Sequence, residues 1–217
     1  MVNFRKFGPN KLINSPYCFG TMQFGGKSSE KDSSEMYFAC REKNINFFDT
    51  AFIYNDGKSE EILGNLISKE REKIILISKA GAVGGLNAKN IRYQIEKSLK
   101  RLNQEYLDIF FLHKWDDNIN LIETFKELKK LKDENKFFHL GVSNFSAWQT
   151  IKSQSISEKI GGPEIEILQP MYNLIKRQAE VEIIPMSLKE NFSIISYSPL
   201  GGGLLTGKYE RKTNDDS

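Results

Sequence analysis

Cysteine and histidine are scarce in this sequence of 217 residues. The two cysteines, Cys18 and Cys40, form no C-x-x-C spacing, and only two histidines accompany them. Neither a disulfide framework nor a metal site is therefore expected. A chain of this kind fits a reducing compartment, and the cytoplasm is the expected location.

Long apolar runs are also lacking. No stretch approaches the ~20 residues that a helix needs to cross a bilayer. Residues 1–10 lack the continuous apolar centre of a secretory signal. We therefore expect no membrane partner.

The sequence has no large excess of charge of one sign. Lysine and arginine number 31 against 28 acidic residues, and the net charge of +3 is spread along the chain. A nucleic-acid partner is not expected, because such proteins gather basic residues on one surface. The length and the apolar fraction of 39% predict one globular domain over residues 1–217.

Short runs rich in isoleucine and phenylalanine recur about every 30 residues, the length of one strand–helix–strand unit. The intervals show helical periodicity, as in Ile91, Ile95 and Leu99. Such alternation predicts a parallel sheet. The predicted strands cover residues 17–21, 46–51, 73–80, 106–113, 137–144, 165–173 and 193–199.

Seven strands fall short of a closed barrel, which has eight and typically ~250 residues. Too few residues follow Pro199 for another helix and strand. We therefore predict an α/β fold, a TIM-type (β/α)8 barrel that lacks its eighth strand–helix unit. Residues 4–13 are predicted to form an N-terminal β-hairpin that turns at Gly8-Pro9-Asn10 and covers the barrel floor.

An asparagine falls where each of four predicted helices ends: Asn44, Asn103, Asn135 and Asn191. Asparagine tolerates the left-handed conformation that closes a helix, so the recurrence predicts four helix caps. The alternative is that asparagine is simply common in loops.

Ionisable residues end three consecutive predicted strands. Strand alternation groups Phe47 with Asp49, Ile77 with Lys79, and Phe111 with His113. The carboxyl ends of parallel strands meet at the barrel mouth, where such folds carry out chemistry, so we expect these groups to converge there. Each of them taken alone is more often a solvated loop residue.

Tyr54 lies in the loop between Asp49 and a helix that we expect to begin with Ser59 as its N-cap. A phenol beside an ammonium is a plausible proton donor, because the ammonium favours the phenolate and lowers the phenol's pKa from ~10. The alternative for Tyr54 is a surface aromatic residue.

Three consecutive glycines, Gly201 to Gly203, follow the last predicted strand. Loops late in such barrels often approach phosphate groups with bare backbone N–H groups. A simple turn explains the same residues equally well.

The motifs together resemble the aldo-keto reductase family, in the branch with bacterial reductases and potassium-channel beta subunits. The resemblance covers nearly the whole chain, and several motifs occur in the family's order. They are Phe47-Phe48-Asp49-Thr50-Ala51, Tyr54, Ser59-Glu60, Lys79, Leu107-Asp108, Leu112-His113, Gly141-Val142-Ser143-Asn144, Gln169, Tyr172-Asn173 and Tyr197-Ser198-Pro199-Leu200.

The resemblance implies an NADP-dependent oxidoreductase that reduces aldehydes or ketones to alcohols. Tyr54 would be the general acid, Lys79 would lower its pKa, Asp49 would hold Lys79, and His113 would orient the carbonyl of a small substrate.

The resemblance also implies a site for NADPH or NADP⁺ at the barrel mouth. Ser143, Asn144 and Gln169 would hold the carboxamide, and Tyr197 would stack on the nicotinamide ring. Leu200 and Gly202 would line the path of the pyrophosphate. Ser198, in the same motif, is predicted to bind the cofactor with them.

The sequence departs from the family pattern in two places. Asn55 stands where the family commonly has glycine, a mild change because asparagine also tolerates positive φ. The family's final strand and the basic residues that clamp the 2′-phosphate do not follow Pro199. Open sheet edges would then favour self-association. The alternative function is that of a truncated, catalytically impaired binding or regulatory protein.

Overall fold

Seven parallel strands in chain order form one curled sheet, as the sequence pattern predicts. The computed structural model of the chain describes residues 6–7 and 11–209. Each predicted segment contains one strand, and each strand is shorter than its predicted segment. The strands in sheet order are β3 (Cys18–Gly20), β4 (Phe47–Asp49), β5 (Ile75–Ala80), β6 (Leu107–Leu112), β7 (Phe137–Ser143), β8 (Ile165–Gln169) and β9 (Ser193–Ile194).

Helices alternate with these strands, which confirms the (β/α) barrel class. Several begin at a side-chain cap. Ser29 and Asp32 form a capping box before the first helix, and Ser146 and Gln149 form another before the fifth. In the described residues the helices are α1 (Glu30–Glu42), α2 (Lys58–Ile67), α3 (Ala88–Leu102), α4 (Leu121–Asp133), α5 (Ala147–Lys159) and α6 (Ile183–Glu190).

The two faces of the sheet bury different sets of side chains. The inner face carries a small cluster that fills the barrel, and the outer face packs against the helices in a larger cluster. Because side chains alternate along a strand, Asp49 on β4 and Lys79 on β5 also face the inside of the barrel, nearer the carboxyl ends of the strands. The inner cluster consists of Phe47, Ile75, Ile77, Ile109, Phe111 and Ile167.

The predicted asparagine caps are confirmed. Asn103 and Asn191 are the C-caps of α3 and α6, with φ of 51° and 59°. Asn44 and Asn135 each lie one residue beyond a C-cap, with φ of 59° and 56°. Each therefore turns the chain sharply from a helix into the next strand.

The N-terminal hairpin is confirmed where it can be described. β1 (Lys6–Phe7) pairs antiparallel with β2 (Leu12–Ile13), while its predicted turn at residues 8–10 lies outside the described residues. The Asn46 side chain, directly before β4, donates to the Ile13 carbonyl and accepts from the Ser15 N–H. The hairpin is thus attached at the amino end of the strands, the floor of the barrel.

Between β3 and β9 the barrel is open. An opening of about 740 Å³ is lined by residues of both strands and reaches inner residues Phe47 and Ile167. Within residues 11–209 no eighth strand joins the two edges, as the sequence predicts. None of the described helices combines the length and the apolar character that a membrane span requires.

The cap at Asn103 provides a test of the helix endings. Asn103→Ala is expected to lower the free energy of unfolding by about 1 kcal/mol, because alanine lacks the polar side chain that lets asparagine adopt the left-handed region. Asn103→Gly is expected to keep wild-type stability. Urea denaturation measures both, with Asn65→Ala inside α2 as the matched control. An Asn103→Ala effect equal to that of the control contradicts the cap.

The open edges predict self-association. Sedimentation velocity is expected to show species larger than the monomer whose share rises with protein concentration. Ser196→Lys, an exposed position beside β9 that lines the opening, should reduce that share, because a charge at a sheet edge opposes edge-to-edge pairing. Ser68→Lys, at the exposed end of α2, should not. A monomer at all concentrations would show that the edges are covered.

Candidate active site

Lys79 lies completely buried at the carboxyl end of β5 and is surrounded by oxygen atoms. Its Nζ donates to Asp49 Oδ2 at 2.6 Å, to the Thr50 carbonyl at 2.9 Å and to the Tyr54 hydroxyl at 3.2 Å. It also lies 4.9 Å from the centroid of the Tyr54 ring. The structure therefore brings together the predicted amine, acid and phenol. The Thr50 carbonyl was missed, since nothing in the sequence marks a backbone acceptor.

The loop that carries Tyr54 is held on both sides. The Phe52 N–H donates to the Lys79 carbonyl at 3.0 Å. Asn55 has φ of 48°, and its side-chain amide donates to the carbonyls of Met22 and Phe24. Asparagine thus adopts the positive φ expected at this position and also ties the loop to the segment after β3.

The predicted N-cap at Ser59 is wrong. α2 begins at Lys58, and its N-cap is Gly57 with φ of 95°. Ser59 is instead buried, and its hydroxyl lies 2.8 Å from those of both Thr21 and Thr50. The tertiary contacts of this hydroxyl outweigh its local preference for a cap position, and they fix the start of α2 against β3 and β4.

The charges of the cluster shift its pKa values. Burial opposes the charged form of Lys79, but Asp49 and Tyr54 outweigh it and raise the pKa of Lys79 above its ordinary value. Burial raises the pKa of Tyr54, Lys79 opposes that rise, and Asp49 adds to it. The expectation of a lowered pKa for Tyr54 is therefore wrong in its net sign, although Lys79 acts in the expected direction.

His113 lies directly after β6 with its ring edge-on to Tyr54, at 5.9 Å between centroids and 82° between planes. Burial and then the Lys79 ammonium lower the pKa of His113 to about 4, so the ring is neutral at pH 7. Its Nδ1 is buried and has no hydrogen-bond partner among the described residues. An orphaned N–H is rarer in proteins than an orphaned acceptor, so this burial favours the proton on Nε2.

The three polar residues predicted to hold a carboxamide meet at the same rim. The Ser143 hydroxyl donates to the Gln169 carbonyl at 2.9 Å, and the Asn144 amide donates to the His113 carbonyl at 2.9 Å. Gln169 Nε2 lies 3.5 Å from Asp49 Oδ1, which connects this group to the ionisable cluster.

Of the predicted residues after β9, Tyr197 contacts this rim directly. The Tyr197 hydroxyl donates to Asn144 Oδ1 at 2.8 Å, and the half-buried Ser198 accepts at its carbonyl from the Asn173 amide. Leu200 is exposed, and Gly202 has φ of 68° with open space where a Cβ would stand. No group of acids, histidines and cysteines suited to a metal occurs in the described part of the chain.

A parallel (β/α) barrel whose ionisable side chains meet at the carboxyl ends of the strands has the arrangement of a barrel enzyme. Residues 16–217 match the family model described as Aldo/keto reductase family. The chain belongs to the aldo/keto reductase family.

Three curated relatives illustrate the range of the family. Aflatoxin B1 aldehyde reductase member 2 of Rattus norvegicus is 35% identical over 201 residues, 90% of this chain and 55% of the relative. A probable voltage-gated potassium channel subunit beta of Arabidopsis thaliana is 31% identical over 97% of this chain and 67% of the relative. The uncharacterized oxidoreductase YrpG of Bacillus subtilis (strain 168) is 30% identical over 95% and 69%. The chain thus spans little more than half the length of the aldehyde reductase.

The lowered pKa of His113 predicts a pH-dependent stability. Between its ordinary pKa of 6.5 and about 4, the unfolded chain binds a proton that the folded chain does not. The free energy of unfolding should therefore fall as the pH falls through this window, by up to about 3 kcal/mol. His113→Gln should remove that part of the dependence in urea titrations at several pH values.

Proton NMR of the ring tests the same point directly. Only two histidines are present, so His139→Gln assigns the remaining signal to His113. The chemical shift of the His113 signal should stay at the value of the neutral ring down to about pH 5. A titration midpoint between about pH 6 and 7 would refute the assignment of a depressed pKa.

Proposed function

We propose that this protein reduces aldehydes or ketones to alcohols with NADPH, and that Tyr54 donates the proton. The proposal rests on one observation, the contact of a buried Lys79 ammonium with the Tyr54 hydroxyl at 3.2 Å and with Asp49 at 2.6 Å. A lone tyrosine at a barrel rim would have no such partner. The family membership and the aldehyde reductase among the relatives support the same reaction class.

Tyr54 is suited to keep its proton until the reaction needs it. Because burial raises its pKa, the phenol is protonated at neutral pH. As a carbonyl oxygen gains negative charge, Tyr54 gives it the proton, and the ammonium of Lys79 stabilises the phenolate that remains. Asp49 keeps that ammonium charged and fixed in place.

His113 complements the acid without competing with it. A neutral imidazole cannot act as a strong acid, but its N–H can donate a hydrogen bond to the substrate oxygen. In this proposal His113 orients the carbonyl through Nε2, beside the hydroxyl of Tyr54. The low pKa of His113 keeps the ring in this neutral form across the physiological pH range.

The residues at the rim fit a nicotinamide cofactor. When bound, NADPH supplies the hydride. Gln169 is nearly buried at this rim, and its side-chain amide would hold the carboxamide together with Ser143 and Asn144. Tyr197 would cover the ring. Ser198, Leu200 and Gly202 would follow the pyrophosphate, where the open side of Gly202 lets a phosphate approach the backbone.

Kinetics with a reactive aldehyde test the proposal. The fall of NADPH absorbance with 4-nitrobenzaldehyde should give turnover in the wild-type protein. Tyr54→Phe should lower kcat at least about 100-fold, because the ring remains while the proton donor is lost. Tyr93→Phe, an exposed phenol on α3, is the matched control and should keep wild-type kcat. Equal rates for Tyr54→Phe and the wild-type protein would reject Tyr54 as the acid.

A binding or regulatory protein is the second candidate, favoured by the 31% identity to a potassium channel subunit. Fluorescence titration with NADPH separates the candidates when it is combined with the kinetics. Binding with turnover supports the reductase, and binding without turnover supports a cofactor-dependent regulatory protein. The absence of both would reject the cofactor site.

A further inference from the structure

Arg101, near the end of α3, reaches across to the loop that carries Tyr54. Its guanidinium donates to the Phe52 carbonyl at 2.8 Å and to the Asp56 carbonyl at 3.2 Å. These carbonyls lie two residues before and two residues after Tyr54. The rigid fork of an arginine can bind two acceptors at a fixed separation, which the single ammonium of a lysine cannot reproduce.

A buried carboxylate continues this contact to the strand of Lys79. Glu60 is completely buried and accepts from Arg101 at 3.1 Å. Its other oxygen accepts from the Ser78 hydroxyl at 2.7 Å, and Ser78 directly precedes Lys79 on β5. The bonds therefore run from the Tyr54 loop through Arg101 and Glu60 to the residue beside the catalytic amine.

The packing around the guanidinium leaves it little freedom. Arg101 lies 4.7 Å from the centroid of the Phe52 ring. A Cβ added to Gly57 would stand 2.2 Å from the Arg101 Cζ, so only glycine lets the guanidinium lie against the loop backbone here. The side chain of Arg101 is 13% exposed. A charge this well buried has to keep its partners, since an unpaired one is costly.

We propose that Arg101 is a positioning residue that sets the contact between Tyr54 and Lys79, acting through the loop carbonyls and through Glu60. The inference rests on the proposed role of Tyr54 as the acid. Tyr54 and Lys79 belong to different elements, a loop and a strand, so their 3.2 Å separation depends on what fixes one element to the other. Arg101 holds the loop on both sides of Tyr54, and Glu60 aligns the same guanidinium with β5.

Arg101→Met and Arg101→Lys test this role, with Arg71→Met as the matched control. Arg71 is equally buried at the opposite end of the barrel, where it pairs with Asp108 at 2.8 Å and donates to the Ile74 carbonyl. All three variants should keep the wild-type affinity for NADPH in fluorescence titration. Arg101→Met should lower kcat for 4-nitrobenzaldehyde about 10- to 100-fold, as expected for a misplaced acid.

The lysine variant separates positioning from stability. Arg101→Lys keeps the charge opposite Glu60, so its Tm should stay close to that of the wild-type protein, while its kcat should fall with that of Arg101→Met. Arg71→Met should lower Tm and leave kcat unchanged. If kcat follows Tm through all the variants, Arg101 is only structural and the proposal is wrong.

A second measurement does not depend on turnover. With 3-fluorotyrosine incorporated, the ¹⁹F signal of Tyr54 is assigned from its absence in Tyr54→Phe, and its titration reports the phenol. Arg101→Met should raise the midpoint, because the ring stays packed against His113 while the contact with Lys79 weakens. An unchanged or lowered midpoint overturns the positioning role. A raised midpoint in a protein without turnover would keep that role and reject the reductase function.

Discussion

The burial of the Lys79 ammonium is the constraint on which the site depends. Removing such an ion from water costs several kcal/mol unless other groups replace the water. Asp49 and the Thr50 carbonyl do so, and both come from the neighbouring strand β4 and its end. The register that pairs Asp49 with Ile77 places the carboxylate one step below Lys79 on the same face of the sheet. A slip of one residue would turn these side chains to opposite faces of the sheet. The geometry of the site therefore depends on the strand register.

The elements around this ion pair are joined by short polar links rather than by apolar packing alone. Ser59 binds hydroxyls of two segments, Asn55 ties the Tyr54 loop to the chain after β3, and Arg101 ties it to α3. The Ser59 link satisfies fully buried hydroxyls and the Arg101 link a largely buried guanidinium, groups that would otherwise destabilise the fold. The bonds that satisfy these groups therefore also hold the Tyr54 loop in place. This double use explains why the rim can be both buried and polar.

The sequence predicts the strands, the inner columns and the helix ends, because these follow from local rules of periodicity and backbone conformation. Asn103 closes a helix for reasons contained in its own side chain. Prediction fails where tertiary contacts decide: Ser59 is not at the expected cap position and instead contacts the hydroxyls of Thr21 and Thr50, which follow two different strands. The prediction of the net pKa shift of Tyr54 fails for the same reason. The sequence motif shows the neighbouring Lys79, but it does not show how deeply Tyr54 is buried. No neighbouring residue in the sequence marks the role of Arg101, because its partners belong to an earlier part of the chain.

The opposing influences on Tyr54 have a chemical consequence in the proposed reaction. A donor with a low pKa would lose its proton in the resting protein, and a donor that is only buried would hold the proton too strongly. Burial keeps the phenol protonated before the reaction, while Lys79 stabilises the phenolate only as it forms. The ammonium thus lowers the free energy of the transition state more than that of the ground state, which is the condition for accelerating a chemical step. Its effect depends steeply on its distance from the phenol oxygen. The bonds that fix the Tyr54 loop to β5 set this distance. In the proposed reaction they therefore influence the stabilisation of the phenolate as well as the stability of the fold.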